Sequence, residues 1–178
     1  GLIGSAAAHL HYHALLQFPT VVTCSNTIAG MNIYKDLQSI VIRNGVGLEG
    51  KEILITTEEK TDRRRALNIP VNGRLFVYAG PLIRRKDPDL LVRAVLDNTD
   101  RTDTLCLLGD GSLLPTCRRL AANRNNIVLP GLVRNVYDYL RAADLFVSAS
   151  HAEGMPNAVL EALAASLPVI LSDIPAHR

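Results

Sequence analysis

Short apolar runs alternate with amphipathic or charged segments along most of this chain. The most regular runs cover residues 75–79, 103–108, 127–129, 144–148 and 167–171, and the segments between them have helical spacing. Strands that are apolar on both sides are typical of parallel sheets, because helices cover both faces of such sheets. The pattern therefore predicts an α/β fold, a Rossmann-like parallel sheet with flanking helices.

The beginning of the chain carries a smaller version of the same alternation. Strands are predicted at residues 20–24 and 39–43. Between them, Ser25 and Asn26 are suited to begin a helix, which we expect to run to about residue 37.

A glycine-rich turn follows these elements. Gly45, Gly47 and Gly50 have the spacing of a dinucleotide-binding loop, yet residues 51–56 alternate in polarity instead of opening a helix. We therefore interpret the turn as a connector between two domains. The predicted division is a first segment at 1–43, a hinge at 44–50 and a main domain at 51–178.

The most informative stretch lies between the last two predicted strands. Its loop contains Gly154, which permits close approach of the backbone to a ligand, and Pro156, which suits the first turn of a helix. Four apolar residues follow at helical spacing and are expected to form the buried face: Val159, Leu160, Leu163 and Ala164. The stretch is thus predicted to cross from one parallel strand to the next.

The polar side of this helix could serve an anionic ligand. Asn157 and Glu161 are four residues apart and share a face, and the N-terminus of the helix favours a diphosphate. A carboxylate one turn further in could bind both hydroxyls of a ribose, while Glu153 would lie on the far side of the phosphates. The alternative is that Glu161 is a solvated helix residue and Glu153 a loop charge.

A second candidate anion site follows the run at 75–79. Arg84, Arg85 and Lys86 come directly before Asp87 and Pro88, a pair that is expected to cap and begin a helix. Three basic residues at a second strand-to-helix turn of the same sheet make phosphate binding credible. The alternative is a solvated basic loop.

Composition narrows the functional classes. The chain has 178 residues, of which 48% are hydrophobic, which allows one domain with some excess. A net charge of +2 and only 4% aromatic residues argue against an extended nucleic-acid surface. No segment has the pattern of a signal peptide or the length of a membrane span. The chain lacks an initiator methionine and stops directly after a predicted strand, so we expect a partial chain.

Cysteine and histidine residues do not indicate a metal centre. Cys24, Cys106 and Cys117 are odd in number and lack metal-ligand spacing, which favours reduced thiols in a cytoplasmic protein. His9 and His13 could share one face of a helix, with His11 nearby, but no acidic or cysteine partner accompanies them. Surface or interface histidines are therefore the favoured interpretation.

The stretch from His151 to Asp173 resembles the donor-site signature of the retaining GT-B glycosyltransferases, the glycosyltransferase family 4-like or group 1 type. Its two glutamates are separated by seven residues. By this resemblance Glu161 holds the ribose of a nucleotide sugar and Glu153 contacts the sugar ring. The intervening backbone faces phosphate and sugar: Gly154, Met155, Pro156 and Asn157. Ser166 stands where the family usually has glycine.

The resemblance extends to earlier loops. Lys86 and Arg85 match the family's basic pair, which stabilises the leaving diphosphate, and Arg84 is proposed to compensate for Pro81, which replaces an arginine. The expected catalytic residues are Lys86, Arg85 and Glu153. The remaining donor contacts implied by position are Gly80, Gly109, Leu132 and Val133, the last two near the nucleobase.

The resemblance implies a C-terminal donor-binding domain within a GT-B two-domain architecture, truncated at both ends, preceded by the tail of an acceptor domain. It implies transfer from a UDP- or GDP-sugar to a glycan or lipid-linked acceptor with retention, without a metal or other cofactor, in polysaccharide biosynthesis. The expected location is cytoplasmic, at the inner face of the membrane, with peripheral association through the missing N-terminal domain. The chain itself is expected to bind but not to transfer. Two alternatives stay open: a non-catalytic nucleotide-binding module, and a nucleotide-sugar epimerase of related fold.

Overall fold

The computed structural model describes residues 13–31, 37–47, 55–97, 102–122 and 124–178. Its contacts divide the chain into two units. The first comprises Gly1–Gly45 with Glu153–Met155, and the second comprises Val46–Ala152 with Pro156–Arg178. Gly50 and most of 51–56, used above to argue for a connector, lie outside the described residues.

The first unit contains a pair of parallel strands, β1 (Val21–Thr23) and β2 (Ser39–Val41). Helix α1 (Asn26–Ala29) begins as predicted, because the Ser25 hydroxyl accepts a hydrogen bond from the Ile28 N–H at 3.3 Å. It ends well before residue 37, with Gly30 as its C-cap. Glycine is a poor helix former, which explains the early end. Residues 32–36 lie outside the description.

The second unit contains a five-stranded sheet in which every pairing is parallel. Its strands are β3 (Leu75–Ala79), β4 (Thr104–Leu108), β5 (Ile127–Gly131), β6 (Leu145–Ser148) and β7 (Val169–Leu171). Their order is β5-β4-β3-β6-β7. This is the Rossmann-like order, so the fold class predicted from the apolar runs is confirmed.

Among the described residues, five helices accompany this sheet: α2 (Thr57–Ala66), α3 (Pro88–Asp97), α4 (Leu114–Ala121), α5 (Val136–Ala142) and α6 (Asn157–Ala164). Successive strand residues point to opposite faces, and each face has its own core. Tyr78 packs with Val92 of α3, whereas Val77 packs with Leu140 of α5 and Val159 of α6. Both faces of β3 and β4 are therefore buried, as their continuous apolar sequences require.

Helix α6 differs from its prediction in start and orientation. Pro156 is the N-cap residue, with ψ 78°, so the first helical residue is Asn157. Val159 and Ala162 are buried, whereas Leu163 is 53% exposed. The predicted face of Val159, Leu160, Leu163 and Ala164 was thus wrong in part. Ala162 has a small side chain that allows the helix to lie close to the sheet. Because the helix packs through Ala162, the neighbouring Leu163 faces outward.

Ser166 follows the end of α6 in a left-handed conformation, with φ 59°. It stands directly after the C-cap Ala165. This is the position where helices commonly place glycine, because a Cβ atom is disfavoured at positive φ. The departure from the family pattern noted in the sequence is therefore a locally strained residue.

The helix cap predicted at Asp87 does not form as expected, and α5 also lacks a side-chain cap. Asp87 has φ 49° and ψ 50°, a left-handed conformation instead of the extended one that an N-cap residue adopts. Asn135 occupies the N-cap position of α5 but makes no side-chain cap hydrogen bond. Its amide donates to the Asp138 carboxylate instead, at 3.1 Å.

All three cysteines lie among the described residues. Cys24, Cys106 and Cys117 are free, and the latter two are buried. Burial raises the pKa of Cys106 to about 12 and that of Cys117 to about 11, so both stay protonated at neutral pH. These thiols act as small apolar core residues.

Buried polar contacts join helices and strands at the amino-terminal edge of the second unit's sheet. Arg64 of α2 is 5% exposed and donates from Nη2 to Asp144 Oδ2 at 2.5 Å and from Nε to the Ala142 carbonyl at 2.9 Å. Asp144 also accepts from the Leu75 N–H at 2.9 Å and from Lys60 Nζ at 3.2 Å. Burial by itself would raise the pKa of Asp144, but the hydrogen bonds from Leu75 and Arg64 outweigh it and lower that pKa. The pattern of the sequence did not predict this network.

A second pair lies beside it on the same edge. Asp103 is 4% exposed and accepts from the Arg74 backbone N–H at 2.9 Å and from Arg74 Nη2 at 2.5 Å. Asn126 donates to the Asp103 carbonyl at 2.8 Å, which links the starts of β4 and β5. Strand starts that lie apart in the sequence are thus tied together by side chains.

Candidate functional site

The carboxyl ends of the parallel strands meet at the opposite edge of this sheet. After β3 the chain moves towards β4 on one side, and after β6 it moves towards β7 on the other. The boundary between β3 and β6 is therefore a topological switch point, the place where open parallel sheets usually bind ligands. The basic loop 84–86 follows β3 and helix α6 follows β6, so both predicted motifs flank the switch point.

Pairing across the switch point is short. Strands β3 and β4 are in register over five residue pairs, from Leu75↔Thr104 to Ala79↔Leu108. Strands β3 and β6 pair only at Phe76↔Leu145 and Val77↔Phe146 among the described residues. The carboxyl ends of β3 and β6 are therefore linked by their loops and not by the strand ladder.

Glycines at this edge allow three loops to lie backbone against backbone. Gly80 has φ 151° and donates to the Leu108 carbonyl at 2.9 Å. Gly109 has φ 138° and donates to the Gly131 carbonyl at 2.8 Å. A Cβ on Gly109 would lie 2.0 Å from the Gly80 carbonyl oxygen. Glycine is thus required at 109 for the packing of the loops themselves, whether or not a ligand approaches.

The loop after β4 contains a second close backbone approach at a glycine. Gly111 has φ 154°, and a Cβ there would lie 2.5 Å from the Leu82 carbonyl oxygen. The Asp110 carboxylate accepts from the Gly111 N–H at 2.6 Å, which is the role of a turn residue. This loop therefore supports the loop after β3 from the side.

The basic loop folds as a single 3-10 turn, Arg84–Lys86, after the extended Ile83. Arg84 and Arg85 are exposed, and Lys86 is half-buried. Arg85 Nη1 donates to the Ala152 carbonyl at 2.5 Å, and the His151 N–H donates to the Arg85 carbonyl at 2.9 Å. The loop after β3 is thus bound to the loop after β6, across the switch point.

A side-chain pair joins the same two loops. Nε2 of His151 lies 2.9 Å from Oδ2 of Asp87. Sequence reasoning gave His151 no role, because a single histidine after a strand carries no motif. Its importance becomes visible only when the order of the strands brings it to Asp87, 64 positions earlier in the chain.

Helix α6 presents its first turn at the same edge. Its N-cap Pro156 makes no side-chain cap hydrogen bond. Asn157 is exposed and Glu161 is half-buried one turn further along. The first N–H groups of a helix have no partner within the helix, so this end favours an anionic group. The predicted relation between Asn157 and Glu161, on one helix and four residues apart, is retained.

The other predicted residues occupy different settings. Glu153, Gly154 and Met155 belong to the first unit, so their roles towards sugar and phosphate stay predictions. Leu132 is 84% exposed after β5, whereas Val133 packs against the core. A contact with a nucleobase thus remains a prediction for both.

A cavity of about 530 Å³ near this edge is not suited to a diphosphate. Its walls are mainly apolar and include Phe76, Leu90 and Ile170. Leu90 and Ile170 are 50% and 54% exposed, so this is an open apolar face of the sheet beside α3. The basic loop and the N-terminal end of α6 are better suited to bind a charged ligand.

Metal-ligating residues do not cluster in the part of the chain that is described. No group of three or more histidine, cysteine, aspartate or glutamate residues is placed there to hold an ion. His13 is exposed, and the predictions for His9 and His11 fall outside the described residues. Within the same residues, no helix is both long and apolar enough to cross a membrane.

Comparison with known proteins shows which family the chain is similar to. Residues 73–178 match the family described as Glycosyl transferases group 1. The chain is 37% identical over 131 residues to the putative teichuronic acid biosynthesis glycosyltransferase TuaC of Bacillus subtilis, covering 72% of this chain and 32% of that protein. It is 31% identical over 151 residues to the UDP-Gal:alpha-D-GlcNAc-diphosphoundecaprenol alpha-1,3-galactosyltransferase of Escherichia coli, covering 80% and 38% respectively.

Solved structures agree at the level of the fold. The crystal structure of HepE from Anabaena in complex with UDP and glucose matches with a TM-score of 0.79 at 17% identity, over 96% of this chain and 49% of that one. WaaG, a glycosyltransferase involved in lipopolysaccharide biosynthesis, matches with a TM-score of 0.71 at 20% identity, over 87% and 44%. The chain thus spans between about a third and a half of these proteins, 32% to 49%. It belongs to the Glycosyl transferases group 1 family, with the fold of a GT-B glycosyltransferase C-terminal domain.

Proposed function

We propose that the carboxyl edge of the second unit's sheet binds a nucleotide-sugar donor. In the full-length protein, this site would transfer the sugar to a glycan or lipid-linked acceptor with retention of configuration. The observation that carries the proposal is the placement of the two predicted motifs. The basic loop 84–86 and the first turn of α6 flank one switch point, and Arg85 contacts the Ala152 carbonyl across it.

The diphosphate is the part of the donor that this arrangement fits best. Arg84, Arg85 and Lys86 bring three positive charges to one side, and the N-terminal end of α6 adds the positive end of a helix dipole on the other. Charged hydrogen bonds to phosphate are among the stronger ones in proteins. As the bond from the sugar to the diphosphate breaks, the same groups would stabilise the negative charge that develops on the leaving oxygen.

The rest of the donor would extend along α6. Glu161 is one helical turn from the mouth of the helix, at a suitable place for its carboxylate to accept hydrogen bonds from the ribose hydroxyls. Glu153, Gly154 and Met155 are proposed to contact the sugar. UDP is our first choice of nucleotide, because structures of HepE and GtfA with similar folds are described as complexes with UDP. GDP is the second.

We further propose that donor binding needs no metal ion. Hard divalent cations take oxygen ligands, commonly from acidic residues beside the phosphates. The loop after β3 offers basic side chains at this place, and Asp110 in the neighbouring loop is engaged with the Gly111 N–H. The charge of the diphosphate would therefore be balanced by protein cations.

Transfer by the 178-residue chain alone is not expected, since it spans only 32% to 49% of the four proteins compared above. Family membership favours a transferase over an epimerase of related fold. The name of the Escherichia coli relative describes a diphosphoundecaprenol-linked acceptor. By analogy, we propose a lipid-linked acceptor reached at the cytoplasmic face of the membrane.

Calorimetric titration of this chain with UDP, GDP and ADP sugars tests the binding step. One nucleotide should bind clearly better than the others, with the same affinity in excess EDTA. Absence of binding for all three would overturn the proposed site, and a requirement for magnesium or manganese would overturn the assignment of charge balance to the basic loop. For the full-length protein, NMR of the product should show that the anomeric configuration of the donor is retained.

A further inference from the structure

The two loops that flank the switch point need a connection that the strands do not supply. Strands β3 and β6 pair at Val77↔Phe146, and among the described strand residues their register goes no further towards the carboxyl ends. The three residues that bridge the loops instead are Arg85, Asp87 and His151, which bond to each other or to Ala152. The separation of the two loops therefore depends on these side-chain and backbone contacts.

Asp87 adopts an unusual backbone conformation at this place. Its φ of 49° lies in the left-handed region, where glycine is favoured and aspartate is tolerated. Aspartate thus occupies a position that glycine would fit with less strain. Strained residues that persist in a structure commonly serve a site, and here the carboxylate reaches His151 Nε2 at 2.9 Å.

His151 is connected at both its backbone and its side chain. Its N–H donates to the Arg85 carbonyl at 2.9 Å, and its ring meets Asp87 two residues further along the same loop. His151 thus contacts the residues before and after Lys86, Arg85 and Asp87. Movement of the basic loop relative to His151 in the loop after β6 would require at least one of these contacts to break.

We propose that Asp87 and His151 are positioning residues for the donor site. Their pair, called here the loop clasp, holds Arg85 and Lys86 in place before the diphosphate arrives. A phosphate site assembled from two separate loops binds more tightly if the loops are already ordered, because less freedom is lost on binding. The inference rests on the proposed function, but the clasp is a property of the nucleotide-free protein as well.

The substitution Asp87→Gly tests the side-chain contact with His151 separately from the backbone conformation at this position. Glycine accepts the left-handed conformation, so the melting temperature should stay close to that of the unchanged protein. UDP affinity should fall about tenfold, the effect of one lost hydrogen bond of ordinary strength. Asp87→Asn keeps both an acceptor oxygen and tolerance of positive φ, and should restore most of the affinity.

His151→Ala should weaken UDP binding to a similar degree, and the double variant with Asp87→Gly should be no weaker than either single one. Asp89→Ala is the matched control. It removes the same charge two residues along the chain, where the Asp89 carboxylate lies 3.9 Å from Arg93 Nε, and should leave UDP binding unchanged. Equal UDP affinity in the unchanged protein, Asp87→Gly and His151→Ala would overturn the clasp while leaving the proposed function intact.

Amide hydrogen exchange provides a second measurement that needs no nucleotide. In Asp87→Gly, the His151 amide should exchange faster, because its acceptor, the Arg85 carbonyl, is no longer held. Amides in β4, such as that of Leu105, should be unaffected. Unchanged exchange at His151 would refute the clasp even if the chain bound no UDP at all, an outcome that would refute the proposed function separately.

Discussion

The two edges of the sheet in the second unit are built from different chemistry. At the amino-terminal edge, Arg64 and Asp144 are joined by a short ion pair, and Arg64 is almost completely buried. At the carboxyl edge, glycines bring loop backbones together and Arg84 and Arg85 are exposed to solvent. The arginine at the amino edge is buried in contacts within the protein, whereas the arginines at the carboxyl edge are exposed, although Arg85 also donates to the Ala152 carbonyl.

This difference has an energetic meaning. A buried guanidinium must have its hydrogen bonds satisfied by the protein, and Arg64 donates to Asp144 and to the Ala142 and Gly73 carbonyls. Exposed charged side chains contribute little to folding, so the loss of an exposed cation should cost little stability. Stability and ligand binding should therefore respond to substitutions at opposite edges, and the following changes test that separation.

Arg64→Ala should produce the largest effect, a loss of about 3–5 kcal/mol in the free energy of unfolding, because it leaves Asp144 and two carbonyls without their buried donor. Urea denaturation measures this loss. Arg65→Ala on the same helix is the matched control: its ion pair with Asp62 is exposed, so a change below about 1 kcal/mol is expected. Similar losses for both variants would show that the amino edge is not specially stabilising.

Lys86→Ala should weaken binding of UDP by about 3 kcal/mol or more, the upper range for a hydrogen bond to a charged group, with folding retained. Sugar transfer by the full-length protein should be abolished or severely reduced. Lys60→Ala removes the same charge from the amino edge, where Lys60 pairs with Asp144. If Lys60→Ala reduced UDP affinity as much as Lys86→Ala, the loss would be due to the change in net charge and not to the position of Lys86.

Glu161→Ala should weaken binding of the nucleotide diphosphate by about 1.5–3 kcal/mol without a change in melting temperature, since its carboxylate is proposed to meet the ribose. Comparison of UDP with 2′,3′-dideoxy-UDP locates the contact. The variant should no longer distinguish these two ligands, whereas the unchanged protein should prefer UDP. Equal discrimination in both proteins would remove Glu161 from the ribose site.

Ser166→Gly should give the smallest effect, and in the opposite direction. Glycine relieves the positive φ of 59°, so stability should rise by about 1 kcal/mol. Ser166→Ala keeps a Cβ atom in the same conformation and should bring no such gain. UDP affinity should be the same for both variants, because the residue lies at the far end of α6 from the proposed phosphates.

Much of the second unit could be predicted from local sequence. Runs such as Leu75–Ala79 are apolar throughout, and only a strand covered on both faces accommodates such a run at this length. The basic loop and the stretch around Glu161 were also identifiable, because each is a contiguous motif. That both flank one switch point is a result of strand order, which only the structure shows.

The features that were missed depend on contacts distant in sequence. Arg64 meets Asp144 across 80 positions, and Asp87 meets His151 across 64. No periodicity connects such residues, so a basic helix residue and a lone histidine looked ordinary. The face of α6 was misjudged for a related reason: Leu163 and Ala162 are adjacent, and only the shape of the sheet decides which of them is buried.

The short pairing between β3 and β6 also has a consequence for the way the protein folds. It joins Phe76 to Leu145, which are far apart in the chain, whereas β4 pairs with β3, and β5 with β4, through much shorter connections. Closing a longer loop costs more chain entropy, and contacts at large sequence separation slow folding. The β3–β6 junction is therefore expected to form late, both in refolding and during synthesis on the ribosome. The appearance of nucleotide binding over time would then report the last step of folding, after most of the secondary structure has already formed.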